Sequence, residues 1–216
     1  IALQNSDTLF THALHEGQTK FLRQVRIQTN DEDGVAITIT VADNTRPWQR
    51  FLKREFRVFD PAKNEEEGDA QTKRPVVIAY HGVFSDATRM EQLTQFDRQA
   101  RDRDWLAVYP QGNLMLGIAN WNGAGCCSQE QDDIAFTKEM IDYLVHNFNV
   151  DENKVYVAGM SNGGFMVYKL LCEMGNRDNG NPWIAAAGVH SGLLGAWQAD
   201  FACSLGKVPL VHFHGL

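Results

Sequence analysis

The strongest constraint on this chain is a change of pattern near residue 75. From there, short and nearly continuous apolar runs (PVVIAY, WLAVYP, KVYVAG and PLVHFH) alternate with longer amphipathic stretches. A strand that is apolar at every position has no solvent face and must be covered on both sides. Between the first two runs, Met90, Leu93, Phe96 and Ala100 fall near helical spacing behind a Ser85 or Asp86 cap, which predicts a helix. Between the second and third, Ile134, Thr137, Ile141, Leu144, Val145 and Phe148 form one stripe, with Asp132 and Asp133 at the positive end of the helix dipole. Strand, helix, strand, helix, strand predicts right-handed crossovers in a mostly parallel α/β sheet with helices on both faces.

The first third of the chain is patterned differently. RQVRIQTN and VAITITV alternate like two strands around NDEDG, and FLKREFRVFDP reads as a strand stopped by Pro61. KNEEEGDAQTK is expected to be a charged surface loop. Residues 1–50 are therefore expected to be a β-rich N-terminal extension of the same unit, and 51–216 its core. With 216 residues, 44% of them apolar, the chain is long enough to bury the core of one domain. A formal charge of −7 and the lack of a basic run argue against nucleic acid as a partner. No window approaches the roughly 18 apolar residues of a membrane span. The opening IALQNSDTLF has neither an initiator Met nor a basic leader, so the N-terminus is expected to be processed or truncated.

In VYVAGMSNGGFM, the strand KVYVA runs into a helix carrying Phe165, Met166, Tyr168, Leu170 and Leu171. Ser161 falls on the turn between them, within G-x-S-x-G. In that context the motif is a nucleophile elbow: a strained serine lifts its hydroxyl above the strand ends, and Gly159 and Gly163 remove side chains that would collide. Ser161 is thus the candidate catalytic nucleophile. The helix starting behind it aims a positive dipole end at the reacting carbon, so the Asn162 amide is one candidate donor to an oxyanion. The second comes from the loop after an earlier strand. AYHGVFSDA closes the first parallel strand with His81 and Gly82, which makes the Val83 amide that donor.

Cysteines stand at 126, 127, 172 and 203, which is no zinc spacing, and no metal site is expected. Two readings stay open on the residues alone. One is a Cys172–Cys203 disulfide joining a helix end to the segment before the last strand; the other is four buried thiols.

The series PVVIAYHGVFSDA, WLAVYPQG, WNGAGCC, DDIAFTKEMIDYLVHNFNVDENKVYVAGMSNGGFM and PLVHFHG resembles the polyhydroxybutyrate depolymerase-like esterases. That group of secreted α/β-hydrolases also holds feruloyl and acetylxylan esterases, and the resemblance spans about residues 51–216. It implies an α/β-hydrolase fold with Ser161 as nucleophile and an oxyanion hole at Val83 and Asn162. Trp121 would sit near the pocket mouth, and no metal or organic cofactor is needed. It further implies export, Cys172 paired with Cys203, and a polymeric or oligomeric ester substrate, either a polyhydroxyalkanoate or feruloyl and acetyl groups of cell walls. Cys126 and Cys127 are left between a vicinal bridge and free thiols.

The resemblance also orders the triad as Ser, Asp, His, with the acid shortly after an HG that closes a late strand. Here that HG is His214–Gly215, so acid and base are expected beyond Leu216, in a core truncated at its C-terminus. A self-contained triad of Ser161, Asp200 and His212 or His214 fits the chain order but embeds the base in a strand. His12 and His15 are expected to be exposed, His81 to orient the oxyanion loop, His146 to lie on a helix surface and His190 in a loop, where it could also border the pocket. A non-catalytic binding protein on the same fold is the rival expectation.

Overall fold

The computed structural model describes residues 8–12, 23–31, 34–42, 51–61, 72–124, 127, 131–175, 184–194 and 208–215. It opens with four antiparallel strands, β1 (Thr8–His12), β2 (Arg23–Asp31), β3 (Gly34–Ala42) and β4 (Phe51–Phe59). Then come β5 (Arg74–Tyr80), α1 (Ala87–Thr94), α2 (Phe96–Arg103) and β6 (Leu106–Pro110). A small hairpin follows, β7 (Asn113–Met115) and β8 (Ile118–Asn120), and then α3 (Asp133–Asn147). The remaining elements are β9 (Val150–Met160), α4 (Asn162–Met174), β10 (Ala186–His190) and β11 (Leu210–Phe213).

Among the described residues, nine strands share one sheet in the order β1-β2-β3-β4-β6-β5-β9-β10-β11. β5, β6, β9, β10 and β11 are mutually parallel, as the continuous apolar runs predict, and β4 joins β6 antiparallel. The β-rich N-terminal strands are continuous with this sheet. β5 is flanked by both β6 and β9, so the chain winds outward from β5 in one direction and then crosses back to build in the other. In open α/β sheets the crevice at such a reversal, outside the strand carboxyl ends, is where ligands bind.

Two cores cover the two faces. On one, Phe56, Ile78, Tyr80, Leu106 and Val108 pack with Phe136, Met140 and Leu144 of α3 and with Met166 and Leu170 of α4. On the other, Phe59, Ala79, Ala107 and Tyr109 meet Ala87, Met90 and Ala100 of α1 and α2. Each large side chain so buried is worth about 1.5–3 kcal/mol. The α3 stripe is wider than the spacing predicts, because Phe136, Met140 and Tyr143 are buried along with Ile134, Thr137, Ile141 and Leu144.

The expected single helix across Met90 to Ala100 is two helices. Gln95 adopts a left-handed conformation (φ 50°) and its N–H donates to Glu91 O, which ends α1 and restarts the chain as α2. Leu93, in the last turn of α1, is 61% exposed. The cap is Asp86, whose Oδ1 accepts from Arg89 N. The hairpin in GNLMLGIAN gave no sequence signal, since its strands have three residues each. Its turn places Leu116 and Gly117 both at positive φ, as a tight hairpin requires. His12 lies in β1, whereas His15 and most of KNEEEGDAQTK lie outside the described residues. Cys127 and Cys172 are both disulfide-bonded, and no free thiol occurs among the described cysteines. Cys126 and Cys203 lie outside them. No helix among the described residues is long and apolar enough to cross a membrane.

Asp97, on α2, accepts from the Tyr109 hydroxyl at 2.6 Å. Burial raises its carboxyl to about 6, with the Tyr109 bond pulling down and Glu91 pushing up. A carboxyl raised above its unfolded value of about 3.9 adds stability below that value and loses it as pH rises through the folded one. Asp97→Asn should therefore raise Tm by about 2–4 °C at pH 8 and give no gain at pH 4. Thermal melts at the two pH values check this; an equal shift at both would contradict it.

Candidate active site

Ser161 stands between the last residue of β9 and the first of α4, at φ 53° and ψ −119°. A non-glycine residue there carries about 1–3 kcal/mol of strain and persists only where its surroundings over-determine it. The surroundings are identifiable. Ser161 N donates to His190 O at 2.9 Å, which ties the turn to β10, and Ser161 O accepts from Gly164 N (2.8 Å) and Phe165 N (3.1 Å) in the first turn of α4. A Cβ on Gly159 would collide with the carbonyl of Gly163, and one on Gly163 with the carbonyl of Tyr80. The turn is thus wedged between β5 and its own helix. Its main chain is fully engaged, while the half-buried side chain caps nothing.

The loop after β5 lies against this turn: a Cβ on Gly82 would stand 3.4 Å from both Met160 O and Ser161 Cβ. Among the described residues neither Val83 N nor Asn162 N donates to a protein acceptor, and Asn162 N opens a 13-residue helix. Two free amides therefore sit on the two segments that meet at Ser161, one of them at the positive end of a helix dipole.

Residue 121 cross-braces those segments. Trp121 N donates to Asn162 Oδ1 (2.8 Å), Asn162 Nδ2 donates back to Trp121 O (3.1 Å), and the indole Nε1 donates to His81 O (2.9 Å). Trp121 is fully buried, its ring edge-on to Tyr80 at 5.1 Å. Its expected place at the pocket mouth is thus corrected: an indole that needs both an acceptor and an apolar bed has gone beneath the loop instead. His81 is buried too. Gly112 N donates to its Nε2 (2.9 Å) and its Nδ1 donates to Gly82 O (2.7 Å), which fixes the neutral imidazole. Burial lowers its pKa, against the pull of the Gly82 bond. His81 orients the loop, as the sequence implied.

Among the other described histidines no ring hydrogen-bonds to Ser161; His190 meets it only through its main-chain carbonyl. Tyr168 OH meets His212 Nδ1 at 2.7 Å and His214 stacks on His212 at 5.6 Å, so this pair is engaged with α4 and with itself. His190 contacts Ser191 Oγ at 3.2 Å. Asp200 lies outside the described residues, and the self-contained triad has no support in these contacts. An apolar groove of about 360 Å³ between α1 and the β9–β10 face is lined by Met90, Phe96, Met160 and Val189 but not by Ser161. No group of His, Cys, Asp and Glu fit to hold a metal occurs among the described residues.

Among solved structures, the S-formylglutathione hydrolase of Agrobacterium tumefaciens superposes on 87% of this chain and 77% of that one, at a TM-score of 0.56 and 16% identity. The chain has an α/β-hydrolase fold. No protein-family model matches it. Among curated proteins, this chain is 27% identical to a bifunctional acetylxylan esterase/xylanase of Neocallimastix patriciarum, over 75% of this chain and 21% of that protein. It is 32% identical to poly(3-hydroxyalkanoate) depolymerase C of Paucimonas lemoignei, over 43% of this chain and 23% of that protein. These are the kinds of esterase its motifs resemble, and the matches span under a quarter of their length.

Two features of the site were missed by sequence reasoning. Asn162 was expected to act through its amide alone, yet its buried side chain grips Trp121. Arg54 and Asp133 form a buried ion pair at 2.7 Å behind the brace. A signal existed for Arg54: in LKREFRV it occupies an inward position of an alternating strand, level with Phe56 and Val58.

The wedge at the elbow predicts a contrast between glycines. Gly163→Ala should cost at least about 3 kcal/mol or block folding. A Cβ on Gly188 meets only Ala158 Cβ at 3.9 Å, so Gly188→Ala should stay within about 1 kcal/mol of wild type. Urea unfolding of both measures this; similar losses in the two variants would contradict the close approach.

Proposed function

We propose that the protein hydrolyses carboxylic esters through an acyl-enzyme on Ser161. The observation that carries this is the strained serine at the β9–α4 turn, facing two segments that each offer a free amide. In the reaction, Ser161 Oγ attacks the ester carbonyl carbon while a histidine base takes its proton. The carbonyl oxygen becomes an anion held by the amides of Val83 and Asn162; one such donor is typically worth about 10²–10³ in kcat. Collapse of the tetrahedral species breaks the bond to the alcohol, which leaves with the proton from the base. Water then repeats the sequence and frees the acid. Among the described residues no histidine ring hydrogen-bonds to Ser161, which meets His190 only through that residue's carbonyl, and the base is assigned to a residue outside them.

The relatives support a substrate among polyhydroxyalkanoate-type polyesters or feruloyl and acetyl esters of cell walls. Phe84, 70% exposed directly after Val83, offers an apolar face beside the oxyanion position for such acids. Two disulfide-bonded cysteines suit an oxidising compartment, and we take the protein to be secreted with Cys172 paired to Cys203. The second reading, a binding protein that keeps the fold without turnover, draws on the lack of a histidine ring bonded to Ser161 among the described residues.

A fluorophosphonate probe separates the two. The full-length protein should gain a single adduct on Ser161, found by mass spectrometry after digestion. Hydrolysis of methyl ferulate or of hydroxybutyrate oligomers should fall by about 10³-fold or more in Ser161→Ala. No adduct and no turnover would favour the binding protein.

A further inference from the structure

Arg54 and Asp133 are 3% and 0% exposed, and they meet deep between β4 and the start of α3. Taking two charges out of water costs about as much as their attraction returns, so such a pair gives weak stabilisation in itself. Asp133 is not needed as the helix cap, because Asp132 Oδ1 already accepts from Ala135 N at 2.9 Å. What the pair does hold is a strap. Asp133 Oδ1 takes the Arg54 guanidinium at 2.7 Å, and Oδ2 accepts from Asn122 N at 2.7 Å. The Arg54 guanidinium is itself immobilised over the Phe136 ring at 4.1 Å.

The strap, residues 120–122, has few other ties on that side. Asn122 Nδ2 donates to Gln131 O (2.9 Å), and Gln131 Nε2 reaches Asn120 O and Oδ1 at 3.3 Å each. At its centre is Trp121, whose peptide is clamped by Asn162 and whose indole is bonded to His81 O. A continuous path of short bonds thus runs from the ion pair to both segments carrying the candidate oxyanion amides. Among the described residues no hydrogen bond joins either segment to the ion pair itself.

We infer that Asp133, fixed by Arg54, is a positioning residue: through the 120–122 strap it sets how the amides of Val83 and Asn162 face Ser161. This rests on the esterase reading above. Its kinetic signature follows from where oxyanion bonds form. They strengthen in the transition state, so loosening the strap lowers kcat and leaves KM nearly unchanged. A displacement of even about 1 Å at a reacting centre can cost on the order of 10²-fold.

The test compares two double variants of the full-length protein that both lack the buried charges. In Arg54→Met with Asp133→Asn, the side chain keeps an oxygen for Asn122 N–H; in Arg54→Met with Asp133→Leu, it does not. With both proteins folded by circular dichroism, kcat in the leucine variant should be about tenfold or more below that in the asparagine variant, with KM within about threefold. Equal kcat in the two overturns the inference. Should the leucine variant fail to fold, Trp121→Phe removes the indole N–H to His81 O together with part of the buried ring; with the protein folded it should lower kcat about tenfold at similar KM, and wild-type kcat there overturns the inference. Wild-type turnover that survives Ser161→Ala, or none at all, sinks the esterase reading itself and the inference with it. With turnover that depends on Ser161, a null result in the variants sinks the inference alone.

Discussion

A serine backbone held at φ 53° between a strand and a helix is the constraint on which the rest of this structure depends. Left to itself the residue would relax into an ordinary conformation and recover about 1–3 kcal/mol. It does not, because its N–H is taken by β10, its carbonyl by the first turn of α4, and the space on either side by the main chain of Gly163 and Tyr80. With the main chain so committed, the side chain is the free part of the residue, and it leaves the turn toward the loop after β5. The strain therefore has a structural origin and a chemical consequence in the same residue.

The sheet order explains why the loop after β5 is the one it meets. β5 and β9 are far apart in sequence, and they become neighbours only because the chain builds β6 on one side of β5 and then returns to the other. The carboxyl ends of β5 and β9 then converge, each followed by a segment with an unpaired amide. The N-terminal strands lengthen the sheet at the far edge, and β4 also sends Arg54 inward to α3. A residue of the antiparallel part thereby reaches the back of the site, through a helix start and a strap that appear in sequence as unrelated pieces.

Much of this was legible from one sequence, and the parts that were not share a cause. The parallel strands, the two helices α3 and α4 and the elbow follow from local periodicity and from a five-residue motif, information carried within a few turns of chain. The hydrogen-bond pattern around His81 was foreseen in kind, since a histidine beside a glycine-rich loop needs partners when buried. Trp121 was misplaced because burial of a tryptophan is decided by what lies over it, here the Tyr80 ring and the His81 carbonyl, which are some 40 residues away. The Asn162 clamp spans a similar distance and the Arg54–Asp133 pair nearly twice that. Gln95 broke a helix that spacing alone continued, by a left-handed turn no residue type demanded.

The central claim is geometric: the hydroxyl of Ser161 and the amides of Val83 and Asn162 converge on one carbonyl group, the first at its carbon and the others at its oxygen. A crystal structure of the full-length protein after reaction with a phosphonate ester tests it most directly. The account predicts phosphorus bonded to Ser161 Oγ, with its phosphoryl oxygen about 2.7–3.1 Å from both amide nitrogens. An adduct whose oxygen points into solvent, or toward only one of the two amides, would contradict it.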